Sequence, residues 1–173
     1  KLNKILFIFI ISIFFINFIS AIRVNEIMYW PEFDDSYNEW IEVYNDEGES
    51  INLSEFTLCG KPLISGYVDR QGNINLEEGL ILEINGFAVI TDGGSGTEVY
   101  YNYNVNGNAL AIHVDASTLC GGLTNTGKTI KLEKNSQIYQ EITYSDISEN
   151  GYSLEYFNDE FIECKNSYRN LKD

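Results

Sequence analysis

Histidine, proline and basic residues are scarce in this sequence of 173 residues. There is one histidine, His113, and 11 lysines and arginines stand against 26 acidic residues, which gives a formal net charge of −15. A chain this acidic, with no cluster of basic residues, is not expected to bind the phosphate backbone of a nucleic acid. The single histidine and the lack of CxxC pairs exclude a zinc site built from paired histidines or cysteines.

The sequence also lacks a sustained 3.6-residue apolar stripe after Ile22, so no helix is predicted. The only two prolines, Pro31 and Pro62, are predicted to lie in connections between strands. Short runs rich in Ile, Val, Tyr, Phe and Thr alternate with clusters of Gly, Asn and Asp, which is typical of an all-β domain. Ten strands are predicted, at 22–29, 39–45, 56–60, 63–68, 80–84, 87–91, 109–114, 129–134, 137–144 and 152–157. This number of short strands in one domain favours a β-sandwich.

Alternation of apolar and polar residues predicts which side chains enter the core. Ile130 and Leu132 lie on one face of their strand, as expected for a half-buried antiparallel strand. In the following strand, Ile138, Ile142 and Tyr144 are predicted to share the buried face.

Two short connections predict β-hairpins. Residues 134–136, Lys-Asn-Ser, join strands 129–134 and 137–144. Asn85-Gly86 accepts positive φ and is predicted to join the two strands that flank it into a second hairpin.

Residues 1–21 have the layout of a secretory signal peptide. Lys1 and Lys4 precede an almost wholly apolar run that ends at the small residues Ser20 and Ala21. We therefore expect a secreted or cell-surface protein with one domain at 22–173. An uncleaved membrane anchor is the alternative, although the run is short for a spanning helix.

Three cysteines, Cys59, Cys120 and Cys164, are an odd number for an exported chain. One disulfide and one leftover thiol are expected, and three pairings are possible. A bridge between Cys59 and Cys120 is favoured because both lie beside glycines at predicted strand ends. The alternative is that all three are reduced and buried as small hydrophobic side chains.

The segment EWIEVYN, residues 39–45, is rich in glutamate, but its alternation argues against a carboxylate pair. Ile41 and Val43 are predicted to face the core, whereas Trp40 and Glu42 lie on the opposite face and cover a second surface. Glu39 and Glu42 therefore point to opposite sides of the strand.

The sequence resembles the lamin-tail domain, an immunoglobulin-like module found in nuclear lamins and in secreted prokaryotic proteins. The matching blocks follow one another through most of the domain, in the order VNEIMYWPE (24–32), NEWIEVYN (38–45), INLSEFTL (51–58), GLILEINGFAVIT (79–91) and LTNTGKTIKL (123–132). The resemblance implies an immunoglobulin-like β-sandwich. It also implies an attachment or recognition module, because such domains often accompany hydrolases in secreted proteins.

The chain departs from the lamin-tail pattern in two loops. Glu55-Phe56 stands where the family often has a glycine before the aromatic residue, and Asn85-Gly86 stands where a proline-glycine turn is more usual. Both substitutions leave the predicted buried positions intact.

No residue is predicted to be catalytic, cofactor-binding or metal-binding, although one histidine and one acidic cluster are candidates. His113 is predicted to be a structural or solvent-facing residue of a strand. Glu32, Asp34, Asp35 and Asp92 could gather at one end of the sandwich and hold calcium, whose ligands are oxygen atoms. A solvated acidic rim that discourages association of strand edges is favoured over this site.

Aromatic residues make up 14% of the sequence, and Tyr100, Tyr101 and Tyr103 are bunched. Exposed tyrosines can stack on sugar rings, although cross-strand packing is the commoner role of strand aromatics. Asn52 begins a glycosylation sequon that also has a turn role in the INLS block.

The sequence favours an exported, non-catalytic interaction or structural module that requires no cofactor and binds an unknown protein or a surface glycan. The alternatives are a calcium-assisted carbohydrate-binding module and a secreted hydrolase with a carboxylate site.

Overall fold

The computed structural model describes residues 22–105, 107–158 and 160–164, and the fold is predominantly β, as predicted. The strands of the described residues are β1 (Ile22–Met28), β2 (Trp40–Asn45), β3 (Ile51–Asn52), β4 (Phe56–Leu58), β5 (Lys61–Ser65), β6 (Tyr67–Val68), β7 (Ile74–Asn75), β8 (Ile81–Leu82), β9 (Phe87–Asp92), β10 (Leu110–Val114), β11 (Gly127–Lys134), β12 (Gln137–Ser145), β13 (Ser153–Phe157) and β14 (Glu160–Cys164).

Two single-turn helices contradict the prediction that no helix would form. They are α1 (Asp35–Asn38) and α2 (Val99–Asn102), each of four residues, and two 3₁₀ turns lie at Leu53–Glu55 and Leu119–Gly121. A single turn is too short to show an apolar stripe in the sequence, which is why the periodicity missed both helices.

Ten of the strands form one sheet that is nearly closed on itself. Its order is β12-β11-β4-β5-β10-β9-β2-β1-β13-β14, so β12 and β14 are the edge strands. Neighbouring strands are antiparallel except β9 and β10, which are parallel. The short strands β3 and β8 form a separate pair, and so do β6 and β7.

The main core lies on the inner face of this sheet. Ile41, Val43, Ile130 and Leu132 are fully buried there, as their alternation predicted. Complete burial of a side chain of this size contributes about 1.5–3 kcal/mol each. This inner face therefore provides most of the driving force for folding.

A second, smaller apolar cluster lies on the outer face of the sheet. Trp40 and Met28 pack there against Val99 of α2 and Tyr103, and the rings of Trp40 and Tyr103 are 6.4 Å apart, edge to face. The prediction that Trp40 would cover a second surface is confirmed. The segment that carries α2 is thus held against the outside of the sheet.

Two β-bulges, one in β1 and one in β12, change the faces expected from strict alternation. In β12, Leu132 is opposite Gln140 and Glu133 is opposite Ile138, so Tyr139 is the extra residue of the bulge. Ile138 is consequently 57% exposed, and Tyr139 turns to the core, where its ring meets Phe56 edge to face at 5.3 Å. The prediction that Ile138 is buried is wrong, because an extra residue in a strand reverses the faces beyond it.

The two predicted hairpins have different outcomes. The turn at Asn135-Ser136 joins β11 and β12, with positive φ at both residues, as predicted. Asn85 also has positive φ, but β8 pairs with β3 whereas β9 enters the large sheet. Asn85-Gly86 is therefore a turn between two sheets, and the second hairpin prediction is wrong.

Pro62 lies within β5, which contradicts its predicted place in a connection. It is the second residue of that strand and pairs with Thr57, directly after the turn that follows β4. Three strands were not predicted from the sequence: β3 and β7, which have only two residues each, and β14.

Cys59 and Cys120 form a disulfide, which confirms the favoured pairing, and Cys164 is a free thiol. The bridge ties the turn between β4 and β5 to the 3₁₀ turn at Leu119–Gly121. Both half-cystines have positive φ, a backbone region that few residues other than glycine adopt. Each is followed by a glycine that also has positive φ, as expected for a tight turn.

The predicted signal peptide, residues 1–21, lies outside the described residues. Within the ranges that the structure describes, no helix has the length and hydropathy needed to span a membrane.

Candidate binding site on the outer face

Two buried glutamates lie side by side on the outer face of the sheet. Glu26 and Glu42 are direct partners of β1 and β2, and they are 7% and 3% exposed. Asn25 Nδ2 donates to Glu42 Oε1 at 2.7 Å, and the Ser153 hydroxyl is hydrogen-bonded to Glu26 Oε1. The pair is formed by the bulge at Asn25, which turns Glu26 outward. Alternation alone could not have revealed this pair.

Glu39 immediately precedes β2 and is not part of that strand. It lies at the same end of the sheet as Asp92, the last residue of the neighbouring antiparallel strand β9. Glu39 Oε2 accepts a hydrogen bond from Leu123 N at 3.3 Å. The pKa of Glu39 is raised to about 8, mainly by burial and to a smaller extent by the charges of Asp35 and Asp92. Burial also raises the pKa of Asp92 to about 6, although backbone N–H groups stabilise its carboxylate.

This acidic end contains part of the predicted calcium cluster, but its carboxylates have structural partners. Asp34 caps α1 by accepting from Ser36 N at 3.0 Å, and Asp92 accepts from Ser95 N at 3.1 Å. The loop after Asp92 therefore encloses a carboxylate of its own chain. Among the described residues, no group of three or more His, Cys, Asp or Glu side chains could hold a metal ion.

His113 has the structural position, which was one of the two alternatives predicted for it, and it does not face the solvent. It is 5% exposed, and its Nδ1–H donates to the Gly66 carbonyl oxygen at 2.8 Å. A Cβ at Gly93 would be 2.6 Å from His113 Cδ2, so the imidazole fills the space that this glycine leaves. The imidazole of His113 is thus held on β10 by its contacts with Gly66 and Gly93, each of which lies in a connection between strands.

A groove of about 480 Å³ lies beside the outer apolar cluster, and we call it the tyrosine groove. Its residues come from β6, from β7 and the loop after it, and from α2 and the loop after it. The lining includes three tyrosines, two asparagines and one glutamate, which are Tyr67, Tyr100, Tyr103, Asn75, Asn104 and Glu78.

The helix α2 positions the tyrosines of this groove. Val99 is buried, and Tyr103, four residues later, lies on the same side and packs on the sheet. Tyr100 stacks on Tyr67 with a ring distance of 4.1 Å, and its hydroxyl donates to Val89 O at 3.2 Å. Tyr101 points outward and is 58% exposed.

The groove presents uncharged phenol groups at neutral pH. Burial raises the pKa of Tyr67 to about 12, and a hydrogen bond between its hydroxyl and that of Tyr101 acts in the same direction. Because Tyr67 lines the groove, this interaction brings the hydroxyl of Tyr101 close to the groove. Aromatic faces combined with amide side chains can hold a ligand that has both apolar faces and hydroxyl groups.

Only part of this groove was predicted from the sequence. The bunched residues Tyr100, Tyr101 and Tyr103 do lie together, but Tyr67 and Asn75 were not among the predicted binding residues. Those two residues belong to the β6–β7 hairpin, which folds against α2 only in three dimensions. Its turn is held by Asp69, whose carboxylate accepts from Asn73 N and Gln71 N at 2.9 Å.

Comparison of the chain with family models, curated proteins and solved structures finds no match. The resemblance to lamin-tail domains therefore depends on the sequence blocks themselves.

Proposed function

We propose that this chain is an exported, non-catalytic binding module of lamin-tail type, with an immunoglobulin-like arrangement of its strands. In this proposal the module attaches its protein to a cell-surface polymer, and the tyrosine groove makes the contact. The groove carries the proposal because it collects aromatic and amide side chains from four parts of the chain into one concave surface.

The positions of the chemically reactive side chains support a binding role over a hydrolytic one. The imidazole of His113 is buried and bonded to a backbone carbonyl. Glu26 and Glu42 are buried and accept hydrogen bonds from Ser153 and Asn25. Carboxylates in such contacts are bonded to neighbouring strands of their own sheet, whereas a glycosidase requires two carboxyl groups that flank a bound substrate.

A surface glycan is the ligand that we propose for the groove. Sugar rings have an apolar face that stacks on aromatic side chains, and their hydroxyls pair with amide groups such as those of Asn75 and Asn104. Glu78 and the net charge of −15 favour neutral or amino sugars over acidic ones. The proposal does not require calcium.

A glycan array incubated with the purified domain tests this function. We expect retention of neutral or amino sugars that is unchanged by a chelator and weakened several-fold by Tyr101→Ala. Tyr101 does not itself line the groove, but its hydroxyl interacts with that of the lining residue Tyr67. Phe157→Ala is the matched control, because Phe157 is similarly exposed, at 57%, and lies on β13. An array without any retained glycan would contradict the proposal, and hydrolysis of a retained glycan would favour an enzyme.

A further inference from the structure

A second concave site lies between the two edges of the large sheet. This cleft has a volume of about 380 Å³ and is lined by five consecutive residues of β12, 141–145, and by Tyr156, Glu160 and Phe161 on the opposite side. Successive side chains of a strand point to opposite faces. A cleft that touches five in a row therefore runs along the backbone edge of β12.

The edge strand β12 is unusually favourable for further pairing. It has nine residues, contains no proline, and is rich in isoleucine, tyrosine and threonine, which favour strands. Proteins usually protect such an edge with a short strand, a proline or a covering segment. Within the described residues, no strand pairs with the outer edge of β12 or with that of β14.

The directions of the two edges allow one strand to pair with both. From β12 to β14 around the sheet, eight of the nine pairings are antiparallel, and only β9 and β10 are parallel. Eight reversals leave β12 and β14 running in the same direction. A single inserted strand that runs the opposite way would be antiparallel to both neighbours, and it would leave no new edge.

The side chains around the cleft define the pattern of that strand. Ile142 and Tyr144 are buried, and Phe161 and Tyr156 pack against the main core, so inward positions should be apolar. Glu141, Thr143 and Ser145 are exposed on β12, and Glu160 is exposed on β14. Glu141 forms an ion pair with Lys131 at 3.0 Å, so Glu160 is the rim carboxylate that complements a lysine or arginine at an outward position.

We propose that this cleft binds one extended segment of a partner protein, with alternating apolar and basic residues, as an additional strand of the sheet. Backbone hydrogen bonds to β12 and β14 would provide the affinity, and the alternating side chains would provide the specificity. This site is separate from the tyrosine groove, so the proposal does not depend on glycan binding.

The test uses a fluorescein-labelled nine-residue peptide of alternating valine and lysine. The comparison peptide has the same charge, with two valines replaced by proline, so that backbone donors are lost. We expect saturable binding of the first peptide and at least tenfold weaker binding of the second, measured by fluorescence anisotropy. Amide hydrogen exchange of β12 and β14 should slow when the first peptide is bound.

Charge reversal at the rim provides a matched pair of variants. Glu160→Lys should weaken the first peptide about two- to fivefold, as expected for an exposed ion pair. Glu49→Lys makes the same charge change at an exposed loop residue that does not line the cleft, and this variant should bind like the unmodified chain. Neither variant should alter glycan retention, so failure of this proposal is distinguishable from failure of the proposed function.

Several results would overturn the proposal. The first is no binding, and the second is equal binding of both peptides, which would indicate charge attraction alone. A third is sedimentation showing a dimer whose formation protects the amides of β12 and β14 without peptide. That result would assign the cleft to a second copy of this chain.

Discussion

Removing the disulfide should cost this protein a large part of its stability. The bridge joins residues 61 positions apart, and closing a loop of that length in the unfolded chain corresponds to about 4 kcal/mol. We expect Cys59→Ser combined with Cys120→Ser to lower the free energy of unfolding by about this amount. For a domain of this size, the melting temperature should fall by about 10 °C.

Urea denaturation followed by circular dichroism measures this loss, with and without a reductant. Cys164→Ser is the control, because Cys164 is a free thiol and its replacement should change stability little. The unmodified chain in reductant should match the double variant. The assignment of the bridge would be refuted if the control lost as much stability as the double variant, or if neither variant responded.

Three other substitutions test particular contacts. Burial raises the pKa of Glu39 to about 8 from an ordinary value of 4.5, so its contribution to stability is fully present below about pH 4.5 and is lost as pH rises through 8. Glu39→Gln should therefore flatten the fall in stability between about pH 4.5 and 8, and an unchanged slope across that range in urea titrations would contradict this. Gly96→Ala should destabilise more than Gly72→Ala, because both glycines have positive φ but only a Cβ at Gly96 would lie 2.5 Å from Asp69 O; equal melting temperatures would contradict the clash. Leu132→Ala, at a fully buried position, should cost about 2–5 kcal/mol in denaturant unfolding, and a loss below 1 kcal/mol would contradict its place in the core.

Much of the fold could be predicted because short-range patterns determine it. Ile41, Val43, Ile130 and Leu132 are buried where alternation predicted, since the side-chain period of a strand is two. The positive φ at Asn85 was also predictable from the residue type. Which strand pairs with β8 and β9 was not, because register and partner depend on the packing of distant segments.

The candidate site was less predictable than the fold. The bulge at Asn25 brings Glu26 beside Glu42, and the bulge at Tyr139 exposes Ile138, but neither bulge leaves a signal in composition or periodicity. Tyr100 and Tyr103 were visible as a tyrosine-rich tract. Their neighbour in the groove, Tyr67, is more than thirty positions earlier in the chain and became visible only through tertiary contact.

The amino-acid sequence by itself determined the all-β class, the acidic surface, the buried alternating residues and the presence of a single histidine. These properties follow from residue type and from the two-residue period of a strand. Only the tertiary structure decided the order of the strands, the pairing of Cys59 with Cys120, the tyrosine groove and the cleft between the sheet edges. Each of these joins residues far apart in the chain, and their approach is governed by the packing of the whole sheet.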